Sequence, residues 1–203
     1  MNDLPIRTRP VFARHAASLL LWRDGAGGLE VLMGVRGAGH RFMPNRLVFP
    51  GGAVDPADKQ APAATEPDPC TLAHLARRAQ PRLARGLVMA AARELEEETG
   101  LTLGHPPHLA QLRYLCRAVT PLPSPIRFNA RFLLAPADAA TGQPADSHEL
   151  SAVRFYPVAE ALELGLMEVT REVLTRLRDY LALPDRDHRT AFFAYKRRRW
   201  EPD

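Results

Sequence analysis

Four glutamates lie within five consecutive positions near the middle of this 203-residue chain, at Glu94, Glu96, Glu97 and Glu98. Residues three or four positions apart share one face of a helix, so Glu94, Glu97 and Glu98 are expected to converge while Glu96 points away. Three neighbouring carboxylates repel one another, and a hard divalent cation such as Mg²⁺ or Mn²⁺ relieves that repulsion through oxygen ligands. The stretch therefore predicts a metal-binding helix that Gly100 is suited to end. A solvated acidic face is the simpler alternative for such a motif on its own.

A second motif upstream favours the metal site. The segment Phe49-Pro50-Gly51-Gly52 precedes Arg93-Glu94-Leu95-Glu96-Glu97-Glu98-Thr99-Gly100-Leu101. Together they resemble the signature of the Nudix hydrolases, G-x5-E-x7-R-E-U-x-E-E-x-G-U, in which U is a bulky apolar residue. The second half fits at every fixed position. In the first half Gly52 fits and Asp58 stands where the family has Glu, but 34 residues separate Asp58 from Arg93 where the signature has seven.

The resemblance implies an α/β fold, a Nudix-type α/β/α sandwich with a mixed central sheet. The hydropathy pattern predicts strands at 15–23, 29–35, 47–49, 109–119, 125–134 and 150–156, and helices at 71–80, 86–99, 158–164 and 170–183. We expect Thr71 to cap the first helix.

We expect a single Nudix hydrolase domain over residues 1–203, with an insert at about 59–85 and a basic C-terminal tail at about 185–203. The insert is rich in Pro and Ala and has few bulky apolar residues to build a core of its own. It is therefore expected to pack at the rim of the cleft and not within the sheet.

The interrupted motif also resembles one branch of the superfamily, that of the peroxisomal acyl-CoA diphosphatase and its bacterial relatives. The run from Phe42 to Gly52 and the run from Arg127 to Leu133 carry that resemblance. Arg36 and Arg41 occupy the two arginine positions of a motif shared by coenzyme A-cleaving members. The same motif is broken at three other positions, which are Gly34, Gly37 and Asn45.

By resemblance, the reaction is hydrolysis of a phosphoanhydride in a nucleoside diphosphate linked to another group. The metal ligands would be the carboxylates of Glu94, Glu97 and Glu98 and the backbone carbonyl of Gly51. Arg93 would orient these carboxylates through charge-assisted hydrogen bonds. The general base is either a glutamate of the acidic helix or the distal Glu149. His148 has a suitable intrinsic pKa but matches no family position, and contact of Asp58 with the metal site stays open.

Four arginines are candidate substrate-binding residues. Arg36 and Arg41, on the loop that enters the motif, are suited to grip phosphate oxygens. Arg127 and Arg131 are spaced to face one side of a strand, with Phe128 and Phe132 on the other side. The charged side is expected to form a wall of the substrate cleft. The alternative, left open, is an ordinary strand, with one side in the core and the other on the surface.

Composition restricts the partners. A net charge of +4 without a basic stripe argues against a nucleic-acid binder. The two cysteines, Cys70 and Cys116, suit reduced thiols in a cytoplasmic protein. No membrane association is expected, and a homodimer is left open.

Three functions fit these expectations. The first is a diphosphatase of coenzyme A or acyl-coenzyme A, and the second is a hydrolase of ADP-ribose or another nucleoside diphosphate derivative. The third is a non-catalytic module that senses a nucleotide. Such a module typically loses the glutamates of the motif, and all three are present here.

Overall fold

The computed structural model describes residues 11–39 and 44–182 and the backbone of strands at 193–196 and 199–202. Arg41 lies outside these residues. Among the described residues, nine strands form one sheet: β1 (Arg14–Gly25), β2 (Gly28–Arg36), β3 (Leu47–Val48), β4 (Gly51–Ala53), β5 (Arg113–Val119), β6 (Phe128–Pro136), β7 (Leu150–Pro157), β8 (Phe193–Lys196) and β9 (Arg199–Pro202).

The sheet is mixed, as the resemblance implied. Its main path runs β3-β2-β1-β6-β5-β8-β9, while β4 pairs with β1 and β7 pairs with β2. The β1–β6 and β5–β8 pairs are parallel, and the other pairs are antiparallel. The segment that the sequence suggested as a basic tail therefore contributes two strands, β8 and β9.

In the part of the chain that the structure describes, four α-helices flank the sheet: α1 (Pro69–Ala76), α2 (Pro81–Thr99), α3 (Val158–Glu163) and α4 (Glu168–Leu181). Helix α2 begins five residues earlier than expected, at Pro81, because proline is well suited to the first turn of a helix. It ends, as expected, at Gly100, which has a left-handed φ of 73°. No helix in the described ranges is both long and apolar enough to cross a membrane.

The expected cap of α1 is wrong. The Oδ1 atom of Asp68 accepts a hydrogen bond from the backbone N–H of Thr71 at 3.1 Å, so Asp68 caps the helix. Thr71 lies one turn inside, where its hydroxyl donates to the carbonyl of Leu112 at 3.2 Å.

Two apolar cores lie on the two faces of the sheet, which gives the sandwich. On one face α1 and α2 pack against the inward side of β1 and β6, through residues that include Leu75, Leu87 and Leu95. On the other face α3 and α4 pack through residues that include Ala161, Val173 and Leu177. The sandwich fold class that the sequence implied is confirmed.

The insert joins the first of these cores. It contributes no strand to the sheet, although an isolated bridge joins Thr65 to His108. Its helix α1 contacts α2, and Leu75 is only 2% exposed. Leu75 thus anchors a segment that is otherwise poor in bulky apolar residues, and smaller contributions come from Leu83 and Ala84.

We therefore predict that Leu75→Ala lowers the free energy of unfolding by about 2–5 kcal/mol, because it removes buried methyl groups and leaves a cavity. Denaturant unfolding followed by circular dichroism would measure this. The matched control is Leu164→Ala, because Leu164 is 41% exposed and should change stability by less than about 0.5 kcal/mol. Equal effects of the two variants would contradict the docking of α1.

Candidate active site

Arg93, on helix α2, joins several acidic groups. Its Nε and Nη2 atoms donate to the two carboxylate oxygens of Asp58 at 3.0 and 3.1 Å. Its Nη1 atom donates to Glu94 and to Glu97, both at 2.8 Å, and Nη2 also donates to the carbonyl of Ala53 at 3.1 Å. These hydrogen bonds, that to Asp58 above all, raise the pKa of Arg93, so it stays cationic. The guanidinium plane thus fixes the relative positions of three carboxylates.

Asp58 reaches the acidic helix through Arg93. It lies on a 3₁₀ turn, Ala57–Lys59, and is 4% exposed. Its Oδ2 atom also accepts the backbone N–H of Asp55 at 2.7 Å. Asp58 is therefore held at both oxygens and positions the arginine that contacts Glu94 and Glu97.

Glu98 is buried, so this part of the helix is not the solvated acidic face that was the simpler alternative. It is 2% exposed, because the loop at Gly51 covers the end of helix α2. Its Oε2 atom accepts the backbone N–H of Gly51 at 2.7 Å, and Oε1 lies 3.8 Å from Nη2 of Arg36 and has no hydrogen-bond partner. Burial raises the pKa of Glu98 to about 8, against the opposing effects of Gly51 and Arg36.

The other three glutamates lie on two sides of the helix, as the helical spacing predicts. The carboxylate of Glu94 occupies the space that a Cβ on Gly52 would take, so only glycine permits this approach. Burial raises the pKa of Glu94, and Arg93 opposes that shift. Glu97 is 55% exposed. Glu96 points away and contacts Thr102 at 3.3 Å and His105 at 3.1 Å.

Gly51 is as constrained as its neighbour. Its φ is +155°, and a Cβ there would collide with the carbonyl of Ala17 and the hydroxyl of Ser18. Glycine is therefore required at this position for strand β4 to lie against β1 while its N–H reaches Glu98.

Some of these groups line a cleft with a volume of about 690 Å³. Glu94, Gly51 and Gly52 meet Arg36 and Glu149 there. The negative charge of Glu149 contributes to the raised pKa of both Glu94 and Glu98, as expected of a neighbouring carboxylate. The structure thus brings both candidate bases, the helix glutamate and Glu149, to the same cleft. His148 is 84% exposed, and its Nε2 atom lies 3.5 Å from Glu149.

The floor of the cleft is a row of alanines that sequence reasoning missed. Ala53, Ala16, Ala130 and Ala118 pair in register across β4, β1, β6 and β5, and all four line the cleft. Neighbouring strands lie about 4.8 Å apart, so the row is roughly 14 Å long. The small side chains at alternate positions of β1 were the available signal in the sequence. Only the register of the strands shows that the alanines of four different strands align.

Phenylalanines stand at both sides of the alanine row. Phe128 and Phe132 flank Ala130 on β6, and Phe132 meets Phe49 edge to face with centroids 6.1 Å apart. A flat apolar floor between aromatic side chains suits a planar or slender apolar group.

Of the two alternatives for Arg127 and Arg131, a wall of the cleft or surface and core, the structure favours the second, and neither arginine lines the cleft. Arg131 is 1% exposed on the opposite side of β6, where it contacts His15 at 3.0 Å and donates to the carbonyls of Asn129 and Arg78 at 2.9 and 3.0 Å. Arg127 donates to the carbonyls of Thr120 and Val11 at 2.9 and 2.7 Å. Side chains alternate along a strand, so the phenylalanines face the cleft and the arginines do not.

The insert also lies away from this site. The described residues that line the cleft include none from 59–80. The expectation that the insert forms the rim is wrong, because Leu75 draws it into the core beneath α2.

The donor set fits a hard divalent cation, although the described residues contain no ready-made cluster of three or more metal-binding side chains. Oε1 of Glu98 is buried without a hydrogen-bond partner, and burial disfavours the charge of both Glu94 and Glu98. A bound cation would compensate both charges. In this conformation the positive charge of Arg93 compensates part of the negative charge of Glu94 and Glu97.

Comparison with known proteins agrees with the motif. Residues 85–177 match the model of the NUDIX domain, a match that begins beyond the Gly51-Gly52 pair. A comparison with curated proteins gave no match. Among solved structures, a NUDIX hydrolase from Alicyclobacillus acidocaldarius is 27% identical, with a TM-score of 0.61 over 81% of this chain and 90% of that chain.

Two further structures share the fold. A MutT NUDIX hydrolase from Burkholderia pseudomallei is 20% identical, with a TM-score of 0.55 over 82% of this chain and 99% of that chain. The NUDIX domain of Shewanella oneidensis NrtR, solved with ADP ribose, is 18% identical, with a TM-score of 0.55 over 89% of this chain and 94% of that chain. These two structures show the fold alone; the domain match and the 27% identical hydrolase support the Nudix superfamily and a hydrolase acting on pyrophosphate bonds.

The contacts of Arg93 lead to a prediction. Asp58→Asn weakens two charge-assisted hydrogen bonds, so the free energy of unfolding should fall by about 1.5–3 kcal/mol. Turnover should fall by roughly ten-fold, because Arg93 then holds Glu94 and Glu97 less firmly. Urea unfolding and initial rates measure the two effects.

The control is Glu66→Gln, which removes another carboxylate paired with an arginine, Arg85, at 3.1 Å, but whose side chain is 58% exposed. This exposed pair should contribute at most about 1 kcal/mol and leave turnover unchanged. Normal stability and normal turnover in Asp58→Asn would show that Arg93 does not depend on Asp58.

Proposed function

We propose that this chain, a Nudix-type hydrolase of pyrophosphate bonds, cleaves the phosphoanhydride of coenzyme A or acyl-coenzyme A. The products would be adenosine 3′,5′-bisphosphate and a phosphopantetheine species. One observation carries the proposal: Glu94 and Glu149 line a cleft that also has an apolar floor of alanines and phenylalanines. A diphosphate that carries a long group on each side fits a cleft with both an acidic part and an apolar part. The interrupted motif supports the same branch of the superfamily.

Charge compensation is the central requirement of this reaction. Water must attack an anionic diphosphate, and a bound Mg²⁺ or Mn²⁺ neutralises charge and lowers the pKa of coordinated water. Glu94, Glu97 and Glu98, with the carbonyl of Gly51, are the proposed ligands. Arg93 orients Glu94 and Glu97 through the contacts described above.

Glu149 is the preferred general base. It faces the cleft from a different element than the helix glutamates, so it remains free to accept a proton while they hold the cation. A helix glutamate, Glu97 foremost, is the alternative base, because Glu97 is the most exposed of the three proposed ligands.

Arg36 is proposed to bind the diphosphate. Its guanidinium lies 3.8 Å from the carboxylate of Glu98 and lines the cleft, so it stands at the reacting end. Arg41 keeps the phosphate-binding role that its motif position suggests. We also propose that residues 1–203 form one domain and leave a homodimer open.

ADP-ribose is the second candidate substrate. The arginine motif is incomplete at Gly34, Gly37 and Asn45, and a structural neighbour with the same fold was solved with ADP ribose. A non-catalytic sensor is disfavoured, since every glutamate of the acidic helix motif is retained. Phosphate-release assays with coenzyme A species, ADP-ribose and dinucleotides, each with Mg²⁺ and Mn²⁺, separate these functions. Activity on ADP-ribose without hydrolysis of any coenzyme A species would overturn the proposal.

The metal role of the helix leads to a prediction. Glu98→Gln should lower turnover by about two or more orders of magnitude, because it removes a charged ligand. The fold should survive, since glutamine keeps the acceptor for the N–H of Gly51 and removes a buried charge. Initial rates over a Mg²⁺ titration and thermal unfolding would measure both effects. Glu96→Gln is the control, and an equal loss of turnover in both variants would contradict the assigned helix face.

A further inference from the structure

Arg14 occupies the end of the cleft opposite to the acids. Residues 14, 16 and 18 alternate along β1, so their side chains share a face, and all three line the cleft. Arg14 pairs in register with Phe128, whereas Ala17 pairs with Gly52, where the Glu94 carboxylate lies. Three residues of strand separate the two positions, which is roughly 10 Å.

The side chain of Arg14 is available to a ligand. It is exposed, and within the described part of the chain it forms no ion pair and no side-chain hydrogen bond. Its backbone N–H donates to the carbonyl of Arg127 at 2.9 Å. Other arginines near the cleft are occupied: Arg93 by acids, and Arg127 and Arg131 by carbonyls.

Arg14 lies among polar and aromatic residues of the cleft lining. Thr120, Pro121 and Ser124 form the adjoining loop, and Phe128 is its register partner. The acids that line the cleft, Glu94, Glu149 and Glu168, come from other elements. Arg14 forms no ion pair with any of these acids in the described part of the chain, so its guanidinium group can bind an external anion.

An apolar floor lies between the two positions on β1. Ala16, the member of the alanine row on β1, lies between Arg14 and Ala17, the residue that pairs with Gly52. A ligand that spans this floor needs a diphosphate at one end, a compact body over the alanines, and an anion at the other end. A nucleoside diphosphate with a further phosphate on its ribose has this arrangement, since only the sugar separates its two anionic groups.

We infer that Arg14 is a specificity-determining residue that binds a second phosphate, on the ribose of the nucleoside diphosphate substrate. The inference rests on the proposed function and deepens it, because it identifies the side chain that distinguishes a ribose-phosphorylated substrate from an unphosphorylated one. Arg36, by contrast, acts at the reacting diphosphate.

Coenzyme A and 3′-dephospho-coenzyme A differ by this one phosphate and provide the kinetic test. Loss of a charge-assisted contact weakens binding by roughly ten- to a hundred-fold. Arg14→Gln should therefore lower kcat/KM for coenzyme A by about ten-fold or more through KM, with a much smaller loss on the dephospho form. Arg36→Ala should lower both by similar factors. Arg82→Gln is the charge-matched control, because Arg82 is exposed on α2 outside the cleft lining.

A binding measurement separates this inference from the proposed reaction. Calorimetry with adenosine 3′,5′-bisphosphate and adenosine 5′-monophosphate needs no turnover. The unmodified protein should prefer the bisphosphate, and Arg14→Gln should lose that preference while Arg82→Gln keeps it. If no coenzyme A species is hydrolysed but this pattern holds, the proposed function fails and the inference stands. Equal binding of the two nucleotides by the unmodified protein, or an unchanged preference in Arg14→Gln, would overturn the inference.

Discussion

The guanidinium group of Arg93 is the point at which separate segments of the chain meet the acidic helix. It bonds to Asp58 on the 3₁₀ turn, to the carbonyl of Ala53 on β4, and to Glu94 and Glu97 on its own helix. Clustered carboxylates would otherwise repel one another and loosen the site. One partly buried cation therefore keeps the acids together and ties the glycine-containing strand to helix α2.

Close approach between α2 and strand β4 depends on the two adjacent glycines as well. Gly52 leaves the space that the Glu94 carboxylate fills, and Gly51 presents its N–H to the buried Glu98. A Cβ at position 52 would displace the Glu94 carboxylate, and a Cβ at position 51 would push β4 away from β1, so that Glu98 would lose its one backbone donor. The raised pKa of Glu98 is the result of this burial, and it marks a site built to receive positive charge.

Local pattern explains what could be predicted from the sequence. Helical spacing placed Glu94, Glu97 and Glu98 apart from Glu96, and the left-handed preference of glycine placed the helix end at Gly100. The features that were predicted wrongly or missed depend on contacts between distant segments of the chain. Strand alternation assigned Arg127 and Arg131 to one face, but only the docking of the helices decides which face becomes the cleft. The alanine row likewise requires the register of four strands, which no local signal contains.

The insertion between Asp58 and Arg93 shows how an interrupted motif can keep its geometry. The two residues lie 35 positions apart, yet they form a bidentate ion pair at 3.0 and 3.1 Å. Lengthening a loop adds closure entropy only slowly, at about 0.6 kcal/mol per doubling. Two features offset that cost: Leu75 docks α1 against the core, and Arg85 bonds to the carbonyl of Ala61 at 2.7 Å. The insert therefore folds back on the helix that it precedes, and Asp58, shorter than the usual glutamate, still reaches the arginine.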